Sequence, residues 1–122
     1  MDIAKLKTTE TTTVHLRDPE TGEKLYENDE PVTITLQGFH TDAWQDEQSA
    51  VDAERERLSK RAKGAGRREM ARLLAAVTTA WSAVDGECTK DSALKLYEPE
   101  GAAWLRSQLN DALIEHAKNI KK

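Results

Sequence analysis

The side chains best able to bind a metal or carry nucleophilic chemistry are His15, His40, His116 and the single cysteine, Cys88. A metal centre, or a nucleophile with its base, needs such groups at defined spacings. No two of these four stand at i, i+4, there is no paired-cysteine motif, and no ordered run of carboxylates flanks them. No catalytic, cofactor-binding or metal-binding residue is therefore assigned, and an enzyme is the least favoured class. Asp18, Glu20 and Glu23 crowd one short segment, but without the positional oxygen ligands of an EF-hand they read as part of a turn.

A second chemistry is electrostatic. The net charge of −4 comes from 18 basic and 22 acidic residues, distributed in bands. Residues 1–54 hold 4 basic and 13 acidic side chains, residues 55–72 hold 8 and 2, and residues 73–122 hold 6 and 7. The basic segment, with Arg55, Arg61, Arg67 and Arg68, could track phosphates as a small nucleic-acid-binding regulator does. Against that, no aromatic residue lies between Trp44 and Trp81 to stack on bases, and the chain as a whole is acidic. The favoured reading is a charged rim that meets the acidic N-terminal part or an acidic partner, with no nucleic acid bound.

The third chemistry is recognition by apolar anchors. Trp44, Trp81 and Trp104 each fall in a helical stripe of apolar residues. Trp44 has few companions, Val51 and Leu58 at seven-residue steps, and tryptophan is a frequent anchor of binding sites. Trp44, Val51, Leu58, Trp81, Trp104 and Leu109 are the candidate partner-binding residues.

These side chains need elements to position them. The organising stretch is Glu69 to Gly86, where Met70, Leu73, Leu74, Val77, Trp81 and Val84 recur at helical spacing and Gly86 offers a left-handed stop. The spacing predicts one long central helix. Earlier, Val14 and Leu16 alternate with Thr13, His15 and Arg17, and Val32, Ile34 and Leu36 alternate with Thr33, Thr35 and Gln37, which predicts half-buried strands. Asp18-Pro19-Glu20-Thr21-Gly22 is turn chemistry between them, and Lys24-Leu25-Tyr26 reads as a short returning strand. Thr41 is expected to cap a helix bearing Trp44, which the glycines of Gly64-Ala65-Gly66 interrupt. Thr89 or Asp91 can cap a short helix with Ala93, Leu94, Leu96 and Tyr97. Pro99 opens a last helix with Trp104, Leu105, Leu109, Leu113 and Ile120 on one side.

The expected fold is α+β: a small N-terminal antiparallel β-meander over residues 1–40, then a helical region of three to four helices over residues 41–122, in one compact domain. Hydrophobic residues are 38% and charged residues 33%, against typical values of roughly 45–50% and 25%. The core is expected to be thin and the helices largely wet. No apolar run reaches the length of a membrane span, and Met1 to Thr9 lacks the apolar core of a signal peptide, so a cytoplasmic location is expected.

With these residues in view, the chain resembles the small tail assembly chaperones of long-tailed bacteriophages. The resemblance rests on Asp18-Pro19-x-Thr21-Gly22-Glu23, on Val32-Thr33-Ile34-x-Leu36-x-Gly38, and on Leu73-Leu74-Ala75 running toward Trp81-x-x-x-Asp85-Gly86. Ser92-Ala93-x-x-Leu96-Tyr97 and Trp104-Leu105 complete it, so it spans nearly the whole chain. It implies a non-enzymatic protein that binds and solubilises the tape-measure protein and helps recruit tail-tube subunits, in the host bacterial cytoplasm and outside the mature virion. It also implies that a longer, frameshifted form of the same chain can accompany it. Another phage structural component, such as a minor tail or head–tail joining protein, is the nearest alternative.

Overall fold

In the computed structural model, residues 11–57 and 64–120 are described. The expectations placed on Met1 to Thr9, on Leu58 and on Arg61 lie outside them. The chain is α+β: an antiparallel sheet region built mainly from the N-terminal part, followed by helices.

Strand β1, Thr11–His15, pairs antiparallel with a later strand, Thr33–Gln37, in a register that sets Thr13 opposite Thr35 and Val14 opposite Ile34. Between them the chain turns twice. The Asp18 carboxylate accepts from the Glu20 and Thr21 amides at 2.8 and 3.3 Å, closing the turn its sequence announces. A two-stranded ribbon follows, β2 at Tyr26–Glu27 and β3 at Glu30–Pro31. Its two-residue loop, Asn28-Asp29, has both φ angles positive (51° and 67°), as a primed hairpin turn demands. The expected short strand is thus shifted: Lys24 makes an isolated bridge to Arg17, and the ribbon starts at Tyr26. The strand Thr33–Gln37 is β4. Its inward side chains, Ile34 and Leu36, are fully buried.

Helix α1 runs Asp42–Arg57, helix α2 Ala65–Val77 and strand β5 Thr78–Ser82. This corrects the long central helix: it ends at Val77, and Trp81 lies on a strand opposite Ile34. The reason is a competition that local periodicity does not register. One edge of β4 is taken by β1, and β5 fills the other, giving a sheet ordered β1-β4-β5. Thr78 and Thr79 are β-branched and suit that edge. The Thr78 hydroxyl donates to the Leu74 carbonyl at 2.8 Å, and its amide to the Ala75 carbonyl, which closes the helix before the strand begins. Gly86 is left-handed as expected (φ 89°), but in the loop after β5, where its carbonyl accepts from the Trp81 indole at 3.1 Å. Thr41 stands at the helix start as expected, its carbonyl accepting from the Gln45 amide at 3.1 Å, but its hydroxyl donates to the Gly38 carbonyl at 2.7 Å, a bond that ties the helix entry back to the end of β4. Gly64, with φ 79°, heads α2 and makes the expected break with α1.

Helix α3, Lys90–Tyr97, begins at Thr89, whose side chain accepts from the Ser92 amide. Pro99 and a short 3-10 turn lead into helix α4, Ala103–Ile120. Helix α2 packs on α1, α3, α4 and β4. The contiguous core joins Leu16, Ile34 and Leu36 of the sheet region to Leu74 and Val77 of α2, Tyr97 of α3 and Leu105, Leu109 and Leu113 of α4. No described helix is long and apolar enough to cross a membrane.

Leu109 is fully buried and Ile114, on the same helix, is 41% exposed. Leu109→Ala is expected to cost about 3 kcal/mol in urea unfolding and Ile114→Ala under about 0.5. Tyr97 is fully buried with its hydroxyl 2.8 Å from that of Thr78. Burial first, and the nearby Cys88 thiol, push its phenol up to about 12 against the Thr78 hydrogen bond. A raised folded value means its contribution is whole below pH about 10 and is lost as pH climbs through about 12, a loss on the order of 3 kcal/mol. A pH series of melts should show this alkaline limb in the wild type and a flatter one in Tyr97→Phe.

Candidate functional site

The basic segment and the acidic part of the chain meet along the seam between α1 and α2. Glu54 and Arg55 follow Glu47 on α1 by seven and eight residues, about two turns, and Glu69 and Arg72 lie three residues apart on α2, so these side chains fall on the sides of the two helices that meet. Arg72 donates to Glu47 at 2.8 Å and to Glu54 at 2.6 Å. Lys90, at the start of α3, donates to the other Glu47 oxygen at 2.6 Å. In the opposite sense, Arg55 reaches Glu69 through two bonds of 3.0 and 2.9 Å. Four ion pairs thus cross from α1 to its neighbours.

Their electrostatics follow from burial set against pairing. Burial raises Glu47, but hydrogen bonds from Lys90 and Arg72 outweigh it and hold its carboxyl below the ordinary value of 4.5. Burial lowers Arg72, and its bonds to Glu54 and Glu47 outweigh that in turn. The Glu69 hydrogen bonds raise Arg55. Glu47 and Glu69 side chains are only 10% and 12% exposed, whereas Glu54 and Lys90 are 44% and 58% exposed. The seam is dry at two carboxylates and wet at its rim.

The apolar part of the seam is small. Val51 is the only side chain of α1 that is fully buried. At the head of the helix Trp44 is half-buried, its ring edge-on to Phe39 with centroids 4.5 Å apart. Burying one valine is worth about 2 kcal/mol and each exposed ion pair up to about 1 kcal/mol. By comparison α4 fully buries Leu105, Leu109 and Leu113 in the core, so α1 is the helix held most by charge.

Of the proposed partner-binding residues, Trp44, Trp81 and Trp104 are half-buried against the core, from α1, β5 and α4 respectively. Val51 and Leu109 are fully buried and belong to the protein's own interior, which corrects their reading as surface anchors. Helical stripes mark burial without saying by what. Of the charged rim, Arg55 is committed to Glu69, Arg67 donates to Glu100 at 3.2 Å, and Arg68 is also engaged. Sequence reasoning passed over Glu47, Glu54, Glu69, Arg72 and Lys90. The banding of charge pointed to such pairing in general, but which acid meets which base depends on how two helices lie together.

Among the described residues there are open hollows lined mainly by polar and charged residues. One of about 330 Å³ is lined by Gln37, His40, Thr41, Asp42 and Ala43, and one of about 310 Å³ by Arg67, Lys95, Glu98 and Pro99. The fold brings His40 and His116 together, with ring centroids 6.2 Å apart, although they are remote in sequence. Among the described residues no group of three or more His, Cys, Asp or Glu side chains is arranged to hold a metal ion. No family model, curated protein or solved structure matches the chain.

Glu47 carries a testable consequence. Its depressed value means its pairing stabilises the fold above the unfolded carboxylate range, with the contribution lost as pH falls through that range and below it. Glu47→Gln should cost about 1–2 kcal/mol at pH 7, and the gap from wild type should close as pH drops below 4.5. A gap that stayed constant down to acid unfolding would deny the carboxylate this role.

Proposed function

We propose that this chain is a phage tail assembly chaperone, one that keeps the tape-measure protein soluble and helps bring tail-tube subunits to it. The observation that carries the reading is the α1–α2 seam, where, among the described residues beyond the first turn of α1, one fully buried aliphatic side chain sits inside a frame of charges. A holdase for amphipathic helices needs a helix-sized seat whose apolar part is small enough not to aggregate. The resemblance to the tail assembly chaperones supplies the client: a long tape-measure protein with apolar helical segments. On this reading the chain acts in the host cytoplasm during assembly, is absent from finished virions, and can be accompanied by a frameshifted longer form. A minor tail or head–tail joining protein would instead be found in purified virions.

The nucleic-acid reading has less to support it, because Arg55, Arg67 and Arg72 are taken up by carboxylates. It predicts salt-sensitive retention on DNA or RNA that weakens in Arg67→Ala/Arg68→Ala.

Co-expression tests the main proposal. The cognate tape-measure protein, made in the same cells, should move from the pellet to the supernatant when this chain is present and co-purify with it. Equal solubility with and without the chain would sink the reading.

A further inference from the structure

Among the described residues, helix α1 meets the contiguous core only near its start. Its first turn reaches the contiguous core through Ala43 and Trp44. Beyond Trp44, Val51 is buried but, among the described residues, lies outside that contiguous core. Among the described residues, ion pairs tie this part of the helix to its neighbours: Glu47 to Arg72 and Lys90, Glu54 to Arg72, Arg55 to Glu69. The three cationic side chains of these four pairs, Arg55, Arg72 and Lys90, are 27–58% exposed, so salt and competing carboxylates reach them. The surface under α1 therefore has a readable preference. Arg72 and Lys90 take two acids, a buried point takes a small aliphatic group, and Glu69 takes an arginine through two parallel bonds.

We propose that α1 beyond Trp44 is a displaceable occupant of this seat, and that the seat's other ligand is a partner's amphipathic helix presenting the same groups in the same order. That order is an acid, an aliphatic residue four positions on, then an acid and an arginine three and four positions further, as in Glu47, Val51, Glu54 and Arg55. α1 itself is the template, since it shows that a helix of this charge pattern fits. The partner's place as a tape-measure segment rests on the function proposed above, whereas the exchange at the seat does not. Because α1 covers the seat whenever the ligand is away, the apolar point is never left open to water, and the acids released by displacement keep the freed helix solvated.

The probe is a fluorescent peptide of residues 42–57 of this chain, titrated into the full-length protein and read by anisotropy. A seat blocked by its own occupant binds a competitor in proportion to the fraction of time it stands open. In Glu47→Gln/Glu54→Gln, whose own α1 is weakened while the seat is intact, the peptide should bind at least about 10-fold more tightly than to wild type. Adding Arg72→Gln to that variant should abolish the gain. Equal affinity for wild type and the glutamine variant overturns the proposal. A measurement on the wild type alone guards against a variant that fails to fold. Amide hydrogen exchange should be at least about 100-fold faster over residues 47–57 than over residues 105–113, and should accelerate with salt only in the former. Equal protection of the two helices also overturns it. Since neither experiment contains a tape-measure protein, peptide binding without rescue in co-expression would retain the seat and discard the client. Rescue without peptide binding would retain the client and discard the seat.

Discussion

A strand in the middle of a sheet must find hydrogen-bond partners on both edges, and β4 is that strand here. Ile34 and Leu36 are fully buried on its inner side, so its backbone polar groups lie where water is scarce. β1 supplies one edge from the nearby hairpin. The other is supplied by Thr78–Ser82, which arrives only after α1 and α2 have been traversed. That requirement ends α2 at Val77, turns Trp81 over Ile34, and draws the Thr78 hydroxyl to within 2.8 Å of Tyr97 in α3. Sheet, central helix and the two C-terminal helices are thereby fastened around one strand.

The protein is consequently held by two kinds of force in two places. Around β4 and α2 the interior is largely aliphatic and continuous, and its stabilisation is not subject to charge screening. Along α1 it depends on Glu47, Glu54, Glu69 and their cationic partners. With a third of its residues charged, the chain has few apolar side chains to give to every helix, and α1 is where they run short. Charge pairs hold a helix in register, because the wrong register leaves Glu47 and Glu69 partly buried and unpaired. They hold it less firmly than an equal area of leucine.

This division also governs what could be read from the sequence. The turn at Asp18–Gly22, the inward alternation of Ile34 and Leu36, the cap at Thr89 and the buried Leu105-Leu109-Leu113 stripe all followed from local spacing, because local geometry alone determines them. The end of α2 did not. Trp81 and Val84 sit at i+11 and i+14 from Met70, and an unbroken helix explains that spacing until β4's second edge is counted. Hydrogen bonding across the fold overrode a helical pattern that is locally sound. The seam fell between these cases: banded charge announced that basic and acidic segments would meet, while the choice of Glu47 and Glu54 for Arg72 waited on the packing of two helices. Trp44, Val51 and Leu109 show the same limit from the other side, since a stripe reports that a side chain is hidden and is silent on which surface hides it.

If the chain is a chaperone for helices, as proposed above, it faces a contradiction to which the seam offers an answer. An open apolar groove would bind the client and would also bind a second copy of itself, and large exposed patches of that kind are aggregation sites. A groove sealed by leucines would stay closed, because exchanging one well-packed helix for another must first expose the surface between them. On the proposal above, a seat that among the described residues fully buries only Val51 of α1, and whose ion pairs are open to solvent at the rim, would let one helix replace another by trading carboxylates stepwise. Specificity then resides in the order of charges rather than in hydrophobic area. That is the kind of recognition available to a chain with a thin core, an acidic helix and a cationic face placed side by side.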